Sequence, residues 1–220
     1  MNRLMWSDMV WGNIQALSRT AKGVSASSSS EKPSLLVTEG AELAARVKEN
    51  FGHAAAKAYS TSMNDLCDEH GLRSFVDSIA IQMSSGLLKG SSIYRTWVQG
   101  KYPIQSETTP PQKVEPKDLE REYAEFVRTL AIKLDTLSVR VVVEVAAWVE
   151  RDLNWRIHPF ADGCGRVSVL LGAWVLHQAS IPPALIRDRT EYYTAMNASE
   201  EKWITYYSDS VLARQCSVSQ

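Results

Sequence analysis

A chain of 220 residues and 24.5 kDa, 45% hydrophobic and 22% charged, has the size and make-up of one compact globular domain, with or without a short arm. Its 24 Lys and Arg nearly cancel its 25 Asp and Glu, for a formal net charge of −1, which excludes a broad basic surface for nucleic acid and requires any anion site to be built locally. Cys67, Cys164 and Cys216, an odd number without a C-x-x-C pair, exclude a disulfide scaffold and an all-thiolate zinc site, and no apolar run nears the ~20 residues that span a bilayer.

The first residues, MNRLMWSDMVWGNIQALSRT, carry apolar side chains interrupted by Asp8, with no A-x-A cleavage site after them. A secretory signal is therefore not expected. A small packing helix is the plainer reading, and a transit peptide is the alternative that the basic, Ser-rich composition leaves open. The stretch SASSSSEKPS at 25–34 reads as a flexible link. Residues 1–33 are thus expected to be a helix and linker, and 34–220 the main domain. After the link, helical periodicity dominates. Leu43, Val47, Phe51, Ala54 and Ala58 make one stripe, and Leu72, Val76, Ile79, Met83 and Leu87 make a second.

Ser91 to Ile104, SSIYRTWVQGKYPI, is β-branched and aromatic with Gly100 at a turn, which predicts a short two-stranded hairpin before the extended connector TTPPQKVEP. A hairpin alone on a helical body is marginal and must lean on something. A third helical stripe follows, from Leu119 through Tyr123, Phe126, Val127 and Leu130 to Leu134. Two helices then stand apart. Val139–Ile157 and Val167–Ala179 are apolar on nearly every face, the mark of helices at the centre of a bundle. His53, His70 and His177 have no metal-ligand spacing, and Trp148, Trp155 and Trp174 read as core.

The polar loop between the two central helices carries the chemistry: His158-Pro159-Phe160-Ala161-Asp162-Gly163-Cys164-Gly165-Arg166. Gly163 and Gly165 let the backbone approach a ligand where the next helix begins, so that N–H groups and the helix dipole converge on an anion. Arg166 adds a forked contact to phosphate, and Asp162 is a hard oxygen ligand suited to Mg²⁺ when phosphates supply the remaining ligands. His158 has the pKa range of a general base. The same residues also read, more blandly, as a helix cap, a proline stop and turn glycines.

HPFADGCGR resembles the signature loop of the Fic family, HPFx(D/E)GN(G/K)R, at eight of nine positions counting the free one. The resemblance extends to the flap-like 91–104 before Pro110-Pro111 and to the segment Arg187–Met196, similar to an Arg-x-x-Tyr element after the family's core. It implies a mostly α Fic-fold bundle with a small β-hairpin flap. It also implies a protein nucleotidyltransferase that moves AMP from ATP to a Ser, Thr or Tyr hydroxyl. By this likeness His158 is the base, Asp162 holds Mg²⁺, and Gly163, Cys164, Gly165 and Arg166 bind the nucleotide triphosphate. Ile93, Tyr94, Arg95 and Thr96 of the flap dock a target protein as an added strand.

Two departures from the pattern matter. Cys164 stands where the family usually has Asn, which removes an amide donor. Val169 stands where many relatives carry a second arginine for the distal phosphates. That arginine usually pairs with an inhibitory glutamate in (S/T)xxxE(G/N); here Glu39-Gly40 matches its end within the candidate segment 34–40, with Leu35 at the Ser or Thr position. These departures keep two alternatives in play: a nucleotide- or partner-binding module without turnover, and a transferase using another diphosphate-containing donor. The expected location is cytoplasmic, with a secreted effector as the alternative. A homo-oligomer remains compatible with the chain.

Overall fold

The computed structural model describes residues 3–18, 40–66, 68–90, 92–96 and 114–218. Among them are eight α-helices: α1 (Arg3–Ser18), α2 (Gly40–Ser60), α3 (Glu69–Ser84), α4 (Leu119–Asp135), α5 (Val142–Arg151), α6 (Cys164–Gln178), α7 (Arg189–Asn197) and α8 (Glu200–Val218). The expectation of a mostly helical bundle agrees with this architecture. None of the described helices is long and apolar enough to cross a membrane.

Local signals start the helices. The Asp68 carboxylate accepts from Gly71 N–H at 2.6 Å to open α3, and Asp188 accepts from Glu191 N–H at 2.9 Å to open α7. α5 and α6 pack on each other at the centre, with α2 and α3 against α6 and α8 against α5. The all-round apolar pattern of α6 has this cause: Val167, Leu170, Leu171, Trp174, Val175 and Leu176 are all buried. α1 joins the same core through Trp6, Val10 and Ile14. Its buried Asn13 donates to Ala184 O at 2.7 Å and accepts from Ile186 N–H at 3.1 Å, tying α1 to the segment before α7.

The hairpin expected over 91–104 falls mostly on residues 97–104, which lie outside the described residues. No hairpin occurs among the described residues. Residues 92–96 instead form one antiparallel bridge, Tyr94 with Phe160 of the loop. On that edge Arg95 N–H donates to Pro159 O, and Ile93 O accepts from Ala161 N–H. Glu39, the linker, Cys67 and positions 97–113, including Gly100 and Pro110-Pro111, lie outside the described residues.

A buried carboxyl sits in the middle of the bundle. Glu150 of α5 accepts from Tyr207 of α8 at 2.7 Å and from Tyr192 of α7 at 2.9 Å, with all three side chains buried. Gly172 of α6 faces it, and a Cβ there would lie 2.7 Å from Glu150 Oε1, so only glycine leaves room. Burial pushes the Glu150 carboxyl up to about 8, against the opposing pull of the two tyrosine hydroxyls. The folded chain thus keeps a proton that the unfolded chain releases near pH ~4.3. Stability from this group is full below that value and is lost as pH rises towards 8. Between pH 6 and 9 the expected loss is roughly 3 kcal/mol, or about 5–10 °C in thermal midpoint. Glu150→Gln, which still offers one acceptor and one donor, should flatten that slope in melts across the range. Equal slopes in the two proteins would assign the pH dependence elsewhere.

Candidate functional site

The helix expected over 139–157 changes its winding before it ends. Val139 is exposed and precedes α5, and at Asp152–Ile157 the chain passes into a π turn. One extra residue in the turn shifts the hydrogen bonds and frees carbonyls for other partners. Leu153 O accepts from His158 N–H at 2.8 Å and from the Cys164 thiol at 3.5 Å. Asn154 O lies 3.0 Å from His158 Nδ1. Arg156 braces the turn, bonding both Asp152 oxygens (2.6 and 2.8 Å) and Glu122 of α4 (2.7 Å).

His158 itself is left-handed, at φ 50° and ψ 60°, a conformation that costs a non-glycine residue and persists only where neighbours enforce it. Arg95 is the principal neighbour. It is 2% exposed, and its guanidinium donates to His158 O, to Ile157 O at 2.9 Å and to Val114 O. Burial pulls its pKa below the ordinary value, yet a guanidinium keeps its charge. Arg95, expected in the docking flap, thus has its side chain turned to the loop. It serves the loop. Ile93 and Tyr94 are half-buried and Thr96 is exposed, so these three remain at the surface.

Phe160 anchors the loop, stacked on Tyr94 at 6.0 Å and edge-on to Tyr123 at 5.8 Å. Both tyrosine hydroxyls donate to Asp77 of α3 at 2.8 Å. The loop is therefore held on one side by an aromatic wedge and on the other by a buried cation.

Beyond Phe160 the chain turns at Gly163, with φ 72°, and enters α6. The first N–H groups of a helix have no partner within it, and no side chain caps this one. A Cβ at Gly165 would meet Asn154 at an ordinary 3.6 Å, so the protein itself does not demand glycine there. Asp162 and Arg166 are paired to each other, while Arg166 Nη1 is buried with no partner among the described residues. Cys164 is buried, its thiol turned to Leu153 O.

These groups line a hollow of about 350 Å³, joined by Arg189 and Tyr193 of α7 and by Ile14, Leu17 and Ser18 of α1. The sequence reading placed His158, Asp162, Gly163, Gly165 and Arg166 in one site, and the fold brings them together. It did not assign the α1 and α7 residues to the site; the Arg-x-x-x-Tyr spacing at 189–193, one helical turn, was the available signal. A second hollow of about 450 Å³ lies behind the π turn beside Trp148, Trp155 and Trp203, with no histidine or glycine nest. Among the described residues no three His, Cys, Asp or Glu side chains could hold a metal together. Asp162 is the single carboxylate of the 350 Å³ hollow. That donor set fits Mg²⁺ arriving with phosphate ligands, not a metal caged by protein.

The bundle lays a histidine-led glycine loop over the start of the buried helix α6. No family model matches the chain. Over 84 residues it is 38% identical to Protein adenylyltransferase Fic of Nematostella vectensis, a stretch covering 37% of this chain and 19% of that protein. The chain thus spans about a fifth of that curated relative. A Fic domain containing signaling protein from Bacteroides thetaiotaomicron superposes with a TM-score of 0.62 at 17% identity, covering 80% of this chain and 71% of the other. IbpAFic2, in a crystal structure where it is covalently tethered to Cdc42, gives 0.59 at 15% identity, covering 96% and 63%. The two solved structures show that the chain has the fold of Fic domains, and the match to the adenylyltransferase covers a part of it.

Proposed function

We propose that the chain is a protein nucleotidyltransferase that moves AMP from ATP to a Ser, Thr or Tyr hydroxyl of a target protein. The observation that carries this reading is the state of His158. Asn154 O only accepts, so Nδ1 carries the proton and Nε2 is the basic nitrogen. Nε2 takes the hydroxyl proton as the target oxygen attacks the α-phosphorus. The bond from that phosphorus to the bridging oxygen breaks, and pyrophosphate leaves with the electron pair. Gly163 and the first N–H groups of α6 bind the phosphates, and Arg166 turns from Asp162 to the leaving oxygens. Asp162, so released, would hold Mg²⁺, which supplies charge neutralisation on the phosphates.

The target segment would add along residues 93–96, on the strand edge away from the loop, because the near edge is already paired. The relative tethered to Cdc42 supports a protein as target. Incubation with ATP, UTP, GTP or CDP-choline, followed by intact-protein mass spectrometry, tests the reading. Added AMP from ATP is the expected result. Transfer only from a diphosphate-linked head group would replace the donor. Binding of ATP by calorimetry with no transfer to itself or to lysate proteins would favour a binding module, the reading suggested by the Asp162–Arg166 pairing and the inward Cys164.

A further inference from the structure

We infer that Arg189 is the second phosphate-binding arginine of this pocket, standing in for the one that position 169 lacks. The inference rests on the nucleotide reading above and names how the pocket holds the outer phosphates. Val169 is 1% exposed and part of the core of α6, so no charge reaches the pocket from that position. Arg189 opens α7 and lines the same hollow as Asp162, Gly163 and Arg166. Its guanidinium lies over the Tyr193 ring at 5.3 Å, one turn further along α7, which holds the flat fork in one plane.

The hydrogen-bond inventory points the same way. Arg189 Nε is buried with no partner among the described residues, as is Arg166 Nη1. Two guanidinium donors in one pocket thus lack acceptors, a state that is costly unless a ligand relieves it. The neighbouring carboxylates are engaged: Asp188 caps α7 and Asp162 pairs with Arg166. A ligand with several adjacent anionic oxygens, a diphosphate or triphosphate chain, would satisfy both forks at once. A single phosphate held on the α6 N-terminus would satisfy one.

Calorimetric titration of wild type and Arg189→Gln with AMP, ADP, ATP and pyrophosphate, each with Mg²⁺, tests this. The variant is expected to bind ADP, ATP and pyrophosphate about 10- to 100-fold more weakly, as for loss of a charged hydrogen bond, with AMP within about two-fold. Arg189→Lys keeps the charge without the fork and should fall between. Its far-ultraviolet circular dichroism and melt also show whether α7 is intact. Equal weakening of AMP and ATP would overturn the inference and leave Arg189 a packing partner of Tyr193. Unchanged affinities would overturn it as well. Wild-type binding of pyrophosphate but of no nucleotide, lost in Arg189→Gln, would uphold the subsite and remove the nucleotide reading. No pyrophosphate binding by wild type would remove both.

Discussion

Replacing His158 by alanine is expected to slow AMP transfer by about 10²- to 10⁴-fold, the usual contribution of a positioned general base, while ATP affinity changes by no more than a few-fold. The separation follows from the geometry. The groups proposed to bind the phosphates are the backbone N–H at the start of α6 and the Arg166 fork, which pairs with Asp162. The imidazole is fixed instead through Nδ1 to Asn154 O of the π turn. Alanine also sits poorly at φ 50°, so a backbone shift would blur the result. His158→Asn controls for this, because asparagine tolerates the left-handed region and cannot act as a base near neutral pH. Labelled-nucleotide transfer and calorimetry on both variants provide the measurement. Transfer at the wild-type rate in either variant would remove His158 from the proton step.

Much of this site was legible because its residues are contiguous. A histidine, a carboxylate, two glycines and an arginine within nine positions, between two runs that are apolar all round, specify a loop on the start of a buried helix. The winding of α5 was not legible. A π turn is a choice among backbone hydrogen bonds, and the 139–157 pattern has no proline or glycine to mark it. Of the Arg156 contacts that brace it, the one to Glu122 joins residues 34 apart. The pairing of residues 92–96 was not legible for a related reason. Alternating β-branched and aromatic residues identify extended chain, but not which chain it pairs with. Here Tyr94 pairs with Phe160, over sixty residues away.

α1 and α7 show the limit from the other side. The first twenty residues read as a small packing helix, and 187–196 as a segment similar to an Arg-x-x-Tyr element. In the structure they contain α1 and α7. That the ends of these helices meet at the signature loop depends on the packing of α1 against α6 and α7, and on the Asn13 contacts to Ala184 and Ile186. No spacing within either segment encodes it.

Arg95 is where the two kinds of reading differ most, and it carries the second large expectation. In sequence it is a cation in a β-branched and aromatic segment expected to dock a target; in the fold it is enclosed, bonded to three backbone carbonyls from two segments. Removing the side chain leaves those buried acceptors without their charged donor. Arg95→Ala is expected to destabilise the chain by on the order of 3–5 kcal/mol, lowering the thermal midpoint by roughly 10 °C. Loss of stability alone would describe any core residue. The distinguishing readout is His158, whose carbonyl Arg95 holds and whose ring depends on the same left-handed backbone. Arg95→Lys keeps the charge, but a compact ammonium cannot reproduce the planar fork over three carbonyls. In that variant the imidazole Nδ1–H resonance, protected in wild type by Asn154 O, should broaden or vanish from nitrogen-correlated spectra. Leu130→Ala, a buried change in α4 of comparable cost, should leave it in place. An unperturbed His158 signal in Arg95→Lys would make Arg95 a support of the fold alone. Its loss would make Arg95 a positioning residue for the base.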